Sequence, residues 1–254
     1  MRVIIDSHIH CGIQNVNQPF AQIAPLLATA GITGACLFAP VEDIYFRYDR
    51  HFDDNHEWQH CRERAHAYLL EVAAGNANVY AYHFVWNDFD VAALDKPFRG
   101  IKWHHHQGEP PYRYQDPRCA TMIDAICDRR LPIVLEETFA QTMDFTQRIA
   151  GRTPVIIPHL GLLNGGFDNL LAAGLWENET IYADTALAGR YEIETFLATY
   201  GADRLLFGSD FPFGMPASQL RNLTRLGIDN TSLGKILSGN ILKLIGNTLP
   251  HADL

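Results

Sequence analysis

The chain opens with Asp6-Ser7-His8-Ile9-His10, two histidines one residue apart. In an extended segment alternate side chains share a face, which sets His8 and His10 about 7 Å apart along it. Two imidazoles so placed can share one divalent ion; taken alone, they can equally be two half-exposed histidines at a strand end. Two later apolar runs also end in ligand-type residues: Val155-Ile156-Ile157-Pro158 runs into His159, and Leu205-Leu206-Phe207-Gly208-Ser209 runs into Asp210. A lone carboxylate at the tip of a hydrophobic strand needs a partner for its charge. Three imidazoles and a carboxylate converging would make a zinc site with room for a water. The segment Gly100-Ile101-Lys102-Trp103-His104 adds Lys102 and His104, which share a face by the same alternation.

These residues matter only if the fold brings them to one place. Short apolar runs cover 3–9, 32–38, 79–85, 100–104, 132–135, 154–158, 180–183 and 205–208. Continuous apolar runs fit strands buried on both faces, as in parallel sheets. Helical signals lie between them. Asp116-Pro117 is an N-cap with proline at the first helical position, and Cys119, Met122, Ile123, Ile126 and Cys127 follow at helical spacing. Segments 139–150, 167–175 and 191–200 also read as helices, and a closing helix carries Leu233, Ile236, Leu237, Ile241, Leu244 and Ile245 on one stripe. Pro25 either kinks the first helix or starts it. Eight strand–helix repeats predict an α/β chain folded as one (β/α)8 TIM barrel over residues 1–254, ahead of a doubly wound open sheet. In a closed barrel the eighth strand neighbours the first, so Asp210 falls beside His8 and His10, with His159 at the same pole. The longest irregular segment, 41–56, overhangs that pole and carries Arg47 and Arg50.

Composition removes several function classes. With 29 acidic against 20 basic residues the net charge is −9, a poor match for nucleic acid. No apolar run approaches the ~20 residues of a membrane span. The opening MRVIIDSHIH is too polar for a signal peptide, and five scattered cysteines without a CxxC read as reduced thiols of a cytoplasmic protein. No phosphate-binding loop, dinucleotide fingerprint or GxSxG elbow is present. The expected partner is a small-molecule substrate, with neither nucleic acid nor membrane involved; formation of a homo-oligomer is left open.

Taken in order, IIDSHIH, GIKWH, VIIPHLG, IYADTA, LLFGSDFPFG and SGNILKLIG span nearly the whole chain. In these motifs the sequence resembles the metal-dependent hydrolases of the amidohydrolase superfamily, specifically the amidohydrolase 2 group. The resemblance implies that His8 and His10 are metal ligands. It implies that His159 binds metal or contacts substrate and water, and that Asp210 is a ligand that also shuttles the proton. One position departs from the pattern: the family's fifth strand usually ends in histidine, and here Ile133-Val134-Leu135 ends in Glu136. Zinc is expected; as a ligand Glu136 would add negative charge and suit a harder metal, which makes manganese the alternative. Otherwise Glu136 pairs with Lys102 and binds nothing, while Glu137 points away. In some members a fourth-strand lysine is carboxylated and bridges two metals. Without the fifth-strand histidine, Lys102 reads instead as a cationic contact to Glu136 or to substrate.

His104 is a candidate substrate contact or acid, and Arg47 and Arg50 either clamp a substrate carboxylate or are solvated loop charges. His105 and His106 read as solvated loop residues, His83 as a core histidine, and His51, His56, His60, His66 and His251 as surface residues. The resulting expectation is a metal-dependent hydrolase that cleaves a small amide, lactone or cyclic ester. Asp210 would carry the proton, with His159 and His104 stabilising the oxyanion. The second reading is a non-oxidative decarboxylase using the same pole, although such relatives tend to be longer. The third is a barrel that has lost catalysis and only binds.

Overall fold

The computed structural model describes residues 3–246. Eight parallel strands follow one another in chain order around a barrel: β1 (Ile5–His10), β2 (Gly34–Phe38), β3 (Val79–Phe84), β4 (Gly100–His104), β5 (Ile133–Glu136), β6 (Val155–Ile157), β7 (Ile181–Asp184) and β8 (Leu205–Leu206). Each lies within one of the apolar runs or overshoots it by a single residue. The last joint differs from the others. Between β8 and β1 there is no regular ladder; Ser7 N donates to Phe207 O (2.8 Å), Asp210 N to His8 O (2.8 Å) and His10 N to Phe211 O (2.9 Å). The barrel is therefore closed by the residues that immediately follow β8.

The barrel interior is a packed core rather than a pore. Ile5, Phe38, Tyr82, Val134, Ile156 and Leu206 meet inside it, and Ile241, Leu244 and Ile245 of the closing helical segment 230–246 pack against them. That segment opens into a π-turn over Lys235–Gly239. Tyr82 fits because residue 100 is glycine: a Cβ there would lie 2.1 Å from the tyrosine ring. Burying each large apolar side chain of this set contributes roughly 1.5–3 kcal/mol.

Seven helices wrap the outside: α1 (Phe20–Thr29), α2 (His56–Gly75), α3 (Pro117–Asp128), α4 (Phe139–Ile149), α5 (Phe167–Ala172), α6 (Arg190–Tyr200) and α7 (Pro216–Thr224). Asp116 caps α3, its side chain accepting from Arg118 N (2.9 Å). Pro25 lies inside α1 and does not start it. The sequence pattern gave no sign of α2, whose 20 residues begin at the Asn55 cap. A short hairpin, Gly12–Ile13 against Asn17–Gln18, was also unforeseen. His66, expected at the surface, is buried on α2 against His83 of β3, with ring centroids 4.4 Å apart. His251 lies outside the described residues. All five cysteines are free and buried. Among the described residues no helix is long and apolar enough to cross a membrane.

Candidate metal centre

Every residue of β1 is buried, including His8, and His10 at its tip is 7% exposed. A buried imidazole needs partners for both nitrogens. Nδ1 of His8 lies 2.8 Å from Oδ2 of Asp184, at the end of β7. That carboxylate accepts from Nδ1–H, which keeps the proton on Nδ1 and leaves the Nε2 lone pair facing into the barrel. Burial, and next the Lys102 ammonium, push the His8 pKa below its usual value, so the ring is neutral and ligand-ready. Asp184 was not singled out from sequence. It carries the same signal as Asp210, a lone carboxylate ending an apolar strand.

Asp210 sits across the β8–β1 joint with Oδ1 3.3 Å from His8 Nε2 and 3.2 Å from His10 Nε2. Ligand atoms about 2.0–2.2 Å from a tetrahedral zinc are roughly 3.3–3.6 Å from one another. The two carboxylate–imidazole distances are close to that spacing, and the ligand atoms of all three side chains lie within 4.8 Å of one another; the Asp184 carboxylate at the end of β7 orients the His8 ring by its hydrogen bond. Burial opposes charge on Asp210, but the His10 hydrogen bond and the His159 imidazolium outweigh it and hold the carboxyl below its usual value. His159 (φ 57°) and Asp210 (φ 58°) both have left-handed backbones. Such residues cost of order 1–3 kcal/mol each and persist where the surroundings fix them. Here Asp184 Oδ1 accepts from His159 N (2.8 Å), while the Asp210 N–H bond to His8 O holds the other turn.

Beside this trio lies the fifth-strand carboxylate. Glu136 Oε2 accepts from Lys102 Nζ at 2.8 Å, and both side chains are buried. The ion pair named above as one reading is thus present. Glu136 also forms, with His8 and His159, a set of ligand atoms within 4.8 Å of one another. Lys102 Nζ touches that set, 3.4 Å from His8 Nε2. Burial alone would raise the Glu136 pKa; Lys102 above all, helped by the His106 hydrogen bond and by His159, holds it well below the usual carboxylate range. Burial likewise opposes charge on His159, yet Glu136, Asp184 and Asp210 raise it to about 9. His159 Nδ1 lies 3.1 Å from Ala186 O, leaving Nε2 toward Glu136 at 3.7 Å.

The loop after β4 corrects two expectations. His106 is not a solvated residue: its Nε2 bonds Glu136 Oε1 and its side chain is 29% exposed. Glu109 turns the loop inward by accepting from His106 N (3.0 Å). His105 is not solvated either; its Nδ1 pairs with Glu137 at 2.9 Å on the other side of the strand, where alternation sends Glu137. His104 Nε2 lies 3.5 Å from Glu136 Oε1. Arg47 reaches the site but is engaged by Glu109 and Glu42. Arg50 is exposed on the loop and does not line the cavity.

The cavity at this pole holds about 210 Å³. His10, Arg47, His104, His106, Glu136, His159 and Asp210 form its polar wall, and Val41, Leu163, Leu187 and Phe213 its apolar one. Lys102 is not part of the lining.

A family model described as amidohydrolase matches residues 5–246. No curated protein matches the chain significantly. Among solved structures, 2,6-dihydroxybenzoate decarboxylase from Rhizobium superposes with a TM-score of 0.74 at 15% identity, covering 97% of this chain and 99% of that one. A Pseudomonas putida protein with the provisional name 2-pyrone-4,6-dicarboxylic acid hydrolase gives 0.72 at 18% identity over 98% and 100%. A Polaromonas dihydroxybenzoic acid decarboxylase with bound manganese and the inhibitor 2-nitroresorcinol gives 0.71 at 15% identity over 100% of both chains. All three share the barrel.

Proposed function

This chain belongs to the amidohydrolase family, and we propose that it is a divalent-metal hydrolase acting on a small cyclic ester, lactone or amide. The observation that carries the proposal is Asp210, ionised and placed 3.2 and 3.3 Å from two imidazole nitrogens on the cavity wall. His8, His10 and Asp210 would hold the ion. Glu136 and His159 stay outside that ligand set, with Oε2 of Glu136 engaged by Lys102. When bound, the ion supplies Lewis acidity and lowers the pKa of water. Zinc suits the three-ligand geometry, and manganese suits the carboxylates around it.

Asp210 accepts the proton of the attacking water and returns it to the leaving group. His159 donates from Nε2 to the developing oxyanion, its ring fixed by Ala186 O. His104 lines the wall beside it as a substrate contact. Lys102 acts on Glu136 rather than on substrate. A cavity of 150 Å³ admits benzene, so about 210 Å³ suits a single ring with small substituents. Arg47, on the cavity wall, is the residue suited to a substrate carboxylate. Free, buried cysteines support a reducing, cytoplasmic setting.

One observation favours a second reading, non-oxidative decarboxylation. A cationic His159 faces the same cavity and could protonate carbon as carbon dioxide leaves. The test uses both substrate types named for the neighbours, 2-pyrone-4,6-dicarboxylate and 2,6-dihydroxybenzoate, with zinc or manganese added. Hydrolysis consumes water and releases acid without gas, and Asp210→Asn should slow it roughly 10²–10⁴-fold. Release of carbon dioxide from the benzoate, with the pyrone untouched, would replace the hydrolase by the lyase.

A further inference from the structure

We propose a second divalent-metal site on the wall of the same cavity, formed by His104, His106 and Glu136. One ligand atom from each lies within 4.8 Å of the other two, and both Nε2 atoms approach Oε1 of Glu136. None of them belongs to the His8, His10 and Asp210 set, so the two sites stand or fall separately. Glu136 serves both of its neighbours because it has two oxygens: Oε2 pairs with Lys102, and Oε1 faces the imidazoles.

The hydrogen bonds around His104 call for a cation there. Tyr45 Oη has one proton, and its shortest acceptor is the Glu109 carboxylate at 2.7 Å. The tyrosine oxygen can therefore only accept from His104 Nδ1, 3.2 Å away. With its proton on Nδ1, His104 points the Nε2 lone pair at a carboxylate oxygen 3.5 Å off. Two lone pairs then face each other between buried side chains. A divalent ion between them resolves the conflict. Two imidazoles and one glutamate are also the donor set of hydrolytic zinc sites, and of ferrous sites with open positions. The remaining positions would face the cavity that both sites line.

The experiment is a metal count on the full-length, tag-free chain, stripped with chelator and re-equilibrated with a few equivalents of zinc. Cobalt provides a second readout through its visible absorption. His106 sits at the rim, so His106→Ala should leave the barrel intact. Two ions per chain are expected, falling to one in His106→Ala and separately to one in His10→Ala. His106→Cys, which keeps a ligand, should retain both. A single ion that survives His106→Ala but not His10→Ala overturns this site and leaves the proposed hydrolytic one standing. A single ion with the reverse behaviour supports this site and removes the other. Two ions kept in His106→Ala, two lost together, or none in the parent chain each overturn the proposal.

Discussion

Asp184 does not line the cavity at the candidate centre, yet it sets the charge and direction of the imidazole on which that centre is built. Replacing it by asparagine keeps the size and removes the charge that holds the His8 Nδ1 proton. Ion affinity at His8, His10 and Asp210 should fall about 10–100-fold with folding preserved, as read by metal titration; unchanged affinity would mean that His8 is not oriented by this bond. Glu136 invites a different expectation. It and Lys102 are almost fully desolvated, so Glu136→Gln strands an ammonium and should cost about 3–5 kcal/mol in urea unfolding. The double variant Lys102→Met, Glu136→Gln should recover most of that loss; no recovery would show that the pair is not the source of the cost. His8, His10 and Asp210 were legible because spacing and strand-tip position carry information. Asp184 was not, since nothing local separates a carboxylate that orients a histidine from one that ends a strand. His106 was missed because its inward turn depends on Glu109 and Arg47, contacts that no spacing rule encodes.

At the scale of elements, the strands were readable because each is buried on both faces and therefore continuously apolar. Helix α2 was not, because its inner face includes Arg62 and His66. The charge of Arg62 is met by Asp54 and Asp88, both at 2.7 Å, and His66 Nε2 accepts from Phe84 N at 2.9 Å. Those partners come from elsewhere in the fold, so the helix looks polar in sequence. The α2–β3 contact makes stability depend on pH. Burial, reinforced by Lys96 and Arg62, holds His83 at about 3, and burial holds His66 well below its usual value. An unfolded histidine takes up its proton near 6.5. The unfolded state therefore binds more protons as pH drops below ~6.5, and stability is lost on acidification until the folded histidine protonates at about 3. Asp6, raised by burial to about 7, acts in the opposite direction over an overlapping range. The clean measurement is thus a difference: between pH 7.5 and 5, His83→Gln should lose about 2 kcal/mol less than the parent chain. Equal losses would show that His83 does not titrate in this way.

The whole molecule is a ring of eight strands in which one joint is made differently. Seven joints are ladders between regular strands; the eighth rests on the segment after Leu206. His8 and His10 stand on one side of that joint and Asp210 on the other. Adding zinc should therefore slow amide exchange at Ser7, His10 and Asp210 more than at the other seven joints. At 100 times the dissociation constant it should also stabilise the fold by about 2.7 kcal/mol. Uniform slowing around the ring would disconnect the ion from the joint. A cooper would recognise the arrangement: seven staves' edges are planed to fit, and the last gap is drawn shut by a rivet. Were an ion to sit there as the rivet, the barrel could not gape at this edge without releasing it, so springing the vessel open and disarming the proposed chemistry would become a single event.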